Sequence, residues 1–201
     1  ERMAQELHPK LIIAGGCAYA RLIDFERISQ AAKAVGAYFM VDMAHQSGLI
    51  AAGVIPSPVP YADFLSSSTT KTICGPRSGF VLCKGEYAQQ LDHGVHPGLI
   101  ASLHLQTMAA MAHTFFYAAT PAFQATMQRT VDNARALCES LQCRGFRILS
   151  GGTDTHLFVI DLRGRTLGGQ AFADALEKTG ISVNAIQIPY DEPSSLNGVR
   201  V

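Results

Sequence analysis

Lys71 follows five consecutive hydroxyl residues, Ser66-Ser-Ser-Thr-Thr70, and precedes a Gly75-Pro76-Arg77 turn. An amine at the end of a strand, crowded by hydroxyls and near a second cation, is partly desolvated. Burial and like charge both lower a lysine pKa and free a nucleophile. The same window also reads as a solvated loop lysine beside a Ser/Thr turn. A second group of interest lies upstream, where Asp42 closes the apolar run Tyr38-Phe-Met-Val-Asp42 and His45 follows three residues on. A carboxylate at the carboxyl end of a strand, with an imidazole nearby, suits a metal, a proton relay or a cationic heterocycle. Taken alone it also suits a helix N-cap and a surface histidine.

Two chemistries are poorly supported. None of the seven histidines forms a His-x-x-x-His or His-Glu pair, which argues against zinc. Gly-x-Ser-x-Gly is absent, which argues against a Ser-His-Asp hydrolase. Asp42, a lysine some thirty residues later and a hydroxyl cluster beside it fit pyridoxal phosphate chemistry. That cofactor demands an amine for its aldehyde, a carboxylate for its pyridine nitrogen and donors for its phosphate. The hydroxyls 66–70 and the Gly75 turn offer such donors.

These residues need a scaffold of strands and helices. Leu11-Ile-Ile-Ala14, closed by Gly15-Gly16, reads as a parallel strand buried on both faces. Asp24 opens a helix with Phe25, Ile28, Ala32 and Val35 on one face and Gly36 as its stop. Residues 38–42 form the next strand, and short strands over 64–67 and 80–83 flank the lysine. A helix is expected over 103–117, with Met108, Met111 and Phe115 on its apolar face. Thr120-Pro121 caps another, which runs to about residue 141 and carries Phe123, Met127, Val131 and Leu137. After Gly151-Gly152 come a strand over 156–161, a helix over 168–178, a strand over 181–184 and a last strand from Gly198. The pattern is α/β, with residues 1–144 as part of a large, mainly parallel domain and 145–201 as the start of a smaller α/β domain.

With 48% hydrophobic residues, the 201-residue chain has enough apolar material for a substantial core. Sixteen basic and sixteen acidic residues leave no net charge and no charge block, which argues against nucleic acid and membrane surfaces as partners. No apolar run reaches the roughly 20 residues of a membrane span, and the first residues do not resemble a signal peptide. The five cysteines, Cys17, Cys74, Cys83, Cys138 and Cys143, are odd in number and form no Cys-x-x-Cys pair, as expected of reduced thiols in the cytoplasm. The abrupt first and last strands suggest a piece of a longer chain.

Five motifs in order, Val41-Asp-Met-Ala-His45, Pro58-Val-Pro-Tyr-Ala-Asp63, Lys71-Thr with Gly75-Pro-Arg77, Gly151-Gly-Thr-Asp154 with His156-Leu157, and Gly198-Val-Arg200, resemble the serine hydroxymethyltransferase family of fold-type I pyridoxal phosphate enzymes. The resemblance implies that Lys71 binds the cofactor aldehyde, Asp42 pairs with the pyridine nitrogen and His45 sits near the phenolic oxygen. It puts Ser68, where the family has threonine, beside the lysine, and makes Arg77 the arginine of the Gly-Pro-Arg turn. Cys17 stands where a serine touches the cofactor, Tyr19 falls on a family tyrosine, and Arg200 grips the amino acid's α-carboxylate. It also implies a homodimer or larger assembly with shared active sites, and further site residues upstream of Glu1.

Departures from the family pattern bear on the acceptor. Thr70 replaces a histidine, Ile100-Ala101-Ser102-Leu103 replaces Gln-Gly-Gly-Pro, and Ala185-Ile186 replaces Lys-Asn, whose asparagine helps to hold folate. An isoleucine lacks the paired donor and acceptor of an amide. Three readings follow: a hydroxymethyltransferase using tetrahydrofolate, a folate-independent threonine aldolase or transaldolase, and a catalytically silent paralogue.

Overall fold

The computed structural model describes all 201 residues, Glu1–Val201, and the chain divides into two units. The first comprises residues 1–17 and 23–127, the second residues 18–22 and 128–201. Residue 145, where the sequence pattern suggested a new domain, lies in the second unit, just past a long helix. No helix is long and apolar enough to cross a membrane.

The first unit runs α1 (Arg2–Leu7), β1 (Leu11–Gly15), α2 (Phe25–Ala34), β2 (Tyr38–Asp42), α3 (Ser47–Ala51), β3 (Phe64–Ser68), β4 (Gly79–Cys83), α4 (Ala88–Val95) and α5 (Leu105–Ala118). The helix α6 (Pro121–Cys143) begins here and continues into the second unit. The sheet order is β1-β2-β3-β4, with β1, β2 and β3 parallel and β4 antiparallel.

Asp24 caps α2 by accepting the Arg27 N–H at 3.0 Å. The face of α2 bearing Phe25 and Ala32 packs with Phe39, Val41, Ala62 and Leu65. Asp63 ties the sheet together: its carboxylate accepts the Phe39 N–H at 2.8 Å and the Lys84 ammonium at 2.5 Å. Burial pushes this carboxyl up, but these two hydrogen bonds prevail and hold it below the usual carboxylate range.

The second unit contains β5 (Arg147–Ile148), β6 (Val159–Asp161), α7 (Gly169–Glu177), β7 (Asn184–Ile186) and β8 (Gly198–Arg200). Its sheet order is β5-β6-β8-β7, antiparallel throughout. Ala20, Cys138, Ile148, Phe158, Ile160 and Val199 form its core.

The Asp161 side chain is fully buried. Its Oδ2 accepts Arg147 at 2.7 Å and Arg163 at 2.6 Å. The hydrogen bonds from Arg163 pull its carboxyl below the usual range, outweighing burial, which pushes it up; Arg147 adds to the lowering. Arg163 also donates to Pro189 O at 3.2 Å. Asp191 accepts the Ile188 and Asn197 N–H groups and the Asn197 amide, closing the 187–197 loop on itself.

Several expectations shift. Leu11 and Ile13 on β1 are 41% and 62% exposed, so β1 is not buried on both faces: no element of this chain covers that side. The strand expected over 156–161 keeps only Val159–Asp161, because the Thr153 hydroxyl takes the Leu157 carbonyl at 2.5 Å. The strand expected over 181–184 begins at Asn184, since the Ile181 N–H still closes the end of α7 on Leu176 O. On α5 the buried residues are Thr114 and Ala118, while Met108 and Phe115 are half exposed. On α6 Cys138 is buried in place of Leu137, continuing the spacing of Phe123, Met127 and Val131. The short helices α3 and α4 and the strand β5 have no counterpart in the sequence reading.

Asp161→Asn leaves two arginines without their counter-charge and is expected to lower the stability of the full-length protein by about 2–4 kcal/mol. The wild-type contribution is complete above the unfolded carboxyl value of about 4 and fades as pH falls through the depressed folded value. Urea denaturation at neutral pH and at about pH 3 should therefore show the gap between the two proteins closing in acid.

Candidate active site

The carboxyl ends of β1 and β2 are level because the register pairs Gly15 with Asp42, and β3 continues two residues past Ser66, the residue beside Asp42, to end at Ser68. Cys17, His45 and Lys71 lie on the three loops leaving those ends. With Gly15, Gly16, Asp42 and Ala44 they line one cavity of about 360 Å³, at the strand ends where open α/β sheets hold ligands. Two larger concavities in this unit lack such a set. One, of about 760 Å³, lies between α1 and α2; the other, of about 480 Å³, is lined mainly by apolar residues such as Ile50, Ile73 and Phe80.

Two close backbone approaches shape the floor. Gly15 has φ +154°, and a Cβ there would lie 2.4 Å from Asp42 O. Asp42 Oδ1 accepts the Ala44 N–H at 2.9 Å, which fixes the carboxylate over the turn it opens. At Gly48 a Cβ would lie 2.2 Å from Thr72 O. The Thr72 hydroxyl fills this contact, donating to His45 O at 3.0 Å and accepting the Gly48 N–H at 3.0 Å. The residue after Lys71 is thereby fastened to the loop that carries His45.

Thr69, fully buried, secures the other side. Its hydroxyl donates to Pro76 O at 2.5 Å, its N–H donates to Ser78 O at 3.0 Å, and its carbonyl accepts the Gly75 N–H at 2.6 Å. The Gly75-Pro76-Arg77 turn is thus held against the end of β3. Ser68 Oγ lies 2.7 Å from Thr70 Oγ1 and accepts the Thr70 N–H at 3.2 Å.

Asp42, His45, Cys17 and Lys71 therefore share one cavity, whereas Ser68 and Arg77 are not among its lining residues. The Lys71 side chain is exposed, so the residues of this chain do not supply the desolvation expected of it. Arg200 belongs to the second unit, where its Nη2 donates to Asn184 Oδ1 at 2.8 Å. Tyr19 is also in that unit and half exposed. In the Gly151-Gly-Thr-Asp154 motif, Asp154 pairs with Arg21 at 2.9 Å and thereby ties residues 18–22 to this unit.

The family model described as serine hydroxymethyltransferase matches residues 1–201. The chain belongs to the serine hydroxymethyltransferase family. It is 46% identical over 203 residues to serine hydroxymethyltransferase 1 of Ralstonia nicotianae, an alignment covering 100% of this chain and 49% of that relative. The chain thus spans about half the length of the curated relative it matches. Serine hydroxymethyltransferases depend on pyridoxal phosphate, and the donor set fits that group: an amine, a carboxylate and an imidazole around one cavity whose floor is kept free of Cβ atoms at Gly15.

Thr69, expected with the hydroxyls 66–70 as a phosphate donor, is instead fully buried with its hydroxyl on Pro76 O, and Thr72 had no assigned role in the sequence. Their signal was available in the hydroxyls on either side of Thr70-Lys71 and in Gly48, three residues past His45. Gly48→Ala is expected to push the 71–73 segment away and destabilise the full-length protein by about 1–3 kcal/mol. It should also weaken pyridoxal phosphate retention, read by dialysis and absorbance, whereas Thr72→Ser keeps the hydroxyl and should retain most of the cofactor affinity.

Proposed function

We propose that this chain forms part of a fold-type I, pyridoxal phosphate-dependent enzyme that interconverts a β-hydroxy amino acid, serine or threonine, and glycine. Tetrahydrofolate is the one-carbon acceptor in the leading reading. The observation that carries it is the convergence of Lys71, Asp42 and His45 on one cavity at the ends of three strands in register. Bound there, pyridoxal phosphate supplies an electron sink that weakens the bonds at an amino acid's Cα.

Lys71 provides the amine that takes the cofactor aldehyde. Asp42 keeps a proton on the ring nitrogen, a role suited to a carboxylate already oriented by the Ala44 N–H. His45 and Cys17, which line the cavity, would hold the cofactor from the neighbouring loops, whereas Ser68 and Arg77, which do not line it, would flank it from the end of β3 and from the turn that Thr69 secures. Arg200 receives the substrate carboxylate through its planar fork. The enzyme works as a homodimer or larger assembly in the cytoplasm, a compartment that suits five free cysteines.

A second reading, a folate-independent threonine aldolase or transaldolase, rests on Ile186. Its Cγ1 would lie 3.0 Å from a Cβ at Gly198, so this side chain packs over β8 and offers no amide to a folate.

The full-length protein loaded with pyridoxal phosphate is expected to release glycine from serine in a tetrahydrofolate-dependent manner. Threonine cleavage indifferent to folate would favour the second reading, and no cleavage of either substrate would favour a silent paralogue. Lys71→Ala should abolish the visible absorbance of the lysine-bound cofactor and reduce turnover by at least about 10³-fold.

A further inference from the structure

We propose that the apolar cavity lined by α3, β4 and α5 is a second small-molecule site, which takes an uncharged aromatic molecule bearing one hydrogen-bonding oxygen. The cavity, of about 480 Å³, is formed within the first unit. Its size falls in the range of sites that hold small ligands, roughly 300–1,000 Å³. Met43 and Ile73, both buried, contribute to its lining, and the rings of Phe80 and Phe115 meet edge to face there at 5.3 Å. Aromatic rings and a methionine sulfur favour a flat ring as their partner. No lining residue is charged, which disfavours an ionised ligand.

One polar group in the lining is unused. Of the two hydroxyls there, Ser57 accepts the Val59 N–H at 3.3 Å, whereas Ser47 is buried and its hydroxyl has no hydrogen-bond partner. A buried hydroxyl left unpaired costs free energy that a ligand oxygen returns. Water suits the place poorly, because a buried water needs about two to four polar partners and these serines are the only polar side chains in the lining.

The site shares its framework with the catalytic cavity. Asp42, His45 and Lys71 line that cavity, and Met43, Ser47 and Ile73, one or two residues further along the same three segments, line this one. The contact between Gly48 and Thr72 fastens two of these segments to each other. A ligand seated among Met43, Ser47 and Ile73 therefore restrains the segments that hold pyridoxal phosphate, and the coupling is reciprocal. This coupling rests on the cofactor site proposed above; binding itself does not.

The test uses the full-length holoenzyme, 2-naphthol as the probe, 2-naphthoate as its charged counterpart, and isothermal titration calorimetry. 2-Naphthol is expected to bind saturably and alongside glycine, and 2-naphthoate to bind at least about tenfold more weakly. Ser47→Ala should weaken 2-naphthol about tenfold, the loss of one hydrogen bond, without lowering the thermal unfolding midpoint, since no native partner is lost. Ala51→Phe, at the exposed end of α3, places a ring in the cavity and should abolish binding. Saturating 2-naphthol should lower the pyridoxal phosphate dissociation constant about fivefold.

No saturable binding, competition with glycine, an affinity that Ser47→Ala leaves unchanged, or binding that survives Ala51→Phe would overturn the site. Binding that meets these expectations while cofactor affinity stays constant would overturn the coupling alone. None of these readouts needs turnover, so an inactive enzyme that binds 2-naphthol counts against the proposed reaction and not against the site.

Discussion

The contact between Gly48 and Thr72 is the constraint on which the site depends. Lys71 and His45 come from different loops, separated by α3 and β3, and nothing in either loop alone fixes one against the other. Their relation is set because the backbone at Gly48 carries no Cβ and Thr72 can place its carbonyl and hydroxyl against it. The strand register supplies the coarse alignment of Gly15, Asp42 and Ser66, and the threonine supplies the fine one. Thr69 repeats the device on the opposite side, binding the Gly75 turn to the strand that leads into Lys71. A lysine between two threonines so engaged has a fixed backbone and a side chain still able to move. That combination suits an amine that holds one ligand and must release it to another.

The second unit solves a different problem, that of satisfying the carboxylates at the end of β6 and in the loop before β8. Asp161 is buried at the edge of β6 and absorbs Arg147 and Arg163, while Asp191 spends its oxygens on backbone and amide N–H groups of its own loop. Carboxylates satisfied in this way stabilise the fold only while ionised, which links the shape of the loop before Arg200 to acid pH.

Much of this was legible in the sequence where a local rule and the tertiary fold agree. The second strand was read at its true limits, because an apolar run bounded by Gly36 and Asp42 admits one interpretation. The Asp24 and Thr120 caps were equally plain. Misjudged segments were those where a side chain competes with the ladder or a helix end overrides strand propensity. Thr153 draws Leu157 out of the strand before β6, and the close of α7 retains Ile181. The reactive groups were identifiable by type, but the hydroxyls that position them were not, because a threonine used as a clamp looks in sequence like any other polar loop residue. Lys71 was expected to be desolvated, and in this chain it is exposed. Its surroundings depend on more than the residues near it in sequence.

The departures from the family pattern fall into two physical kinds. At Ser68 and Thr70 one hydroxyl hydrogen-bonds another across two residues, so polarity is kept while the ring of a histidine is lost. At Ile186 polarity itself is gone, and the side chain has been enlisted to pack over Gly198, a position where any Cβ would also collide with Ile188. Restoring an amide at 186 would therefore leave a gap over Gly198 and place a polar group against apolar neighbours. The first kind of change keeps hydrogen-bonding capacity in the residues before Lys71, whereas the second gives a side chain over to the packing of β8 at Gly198.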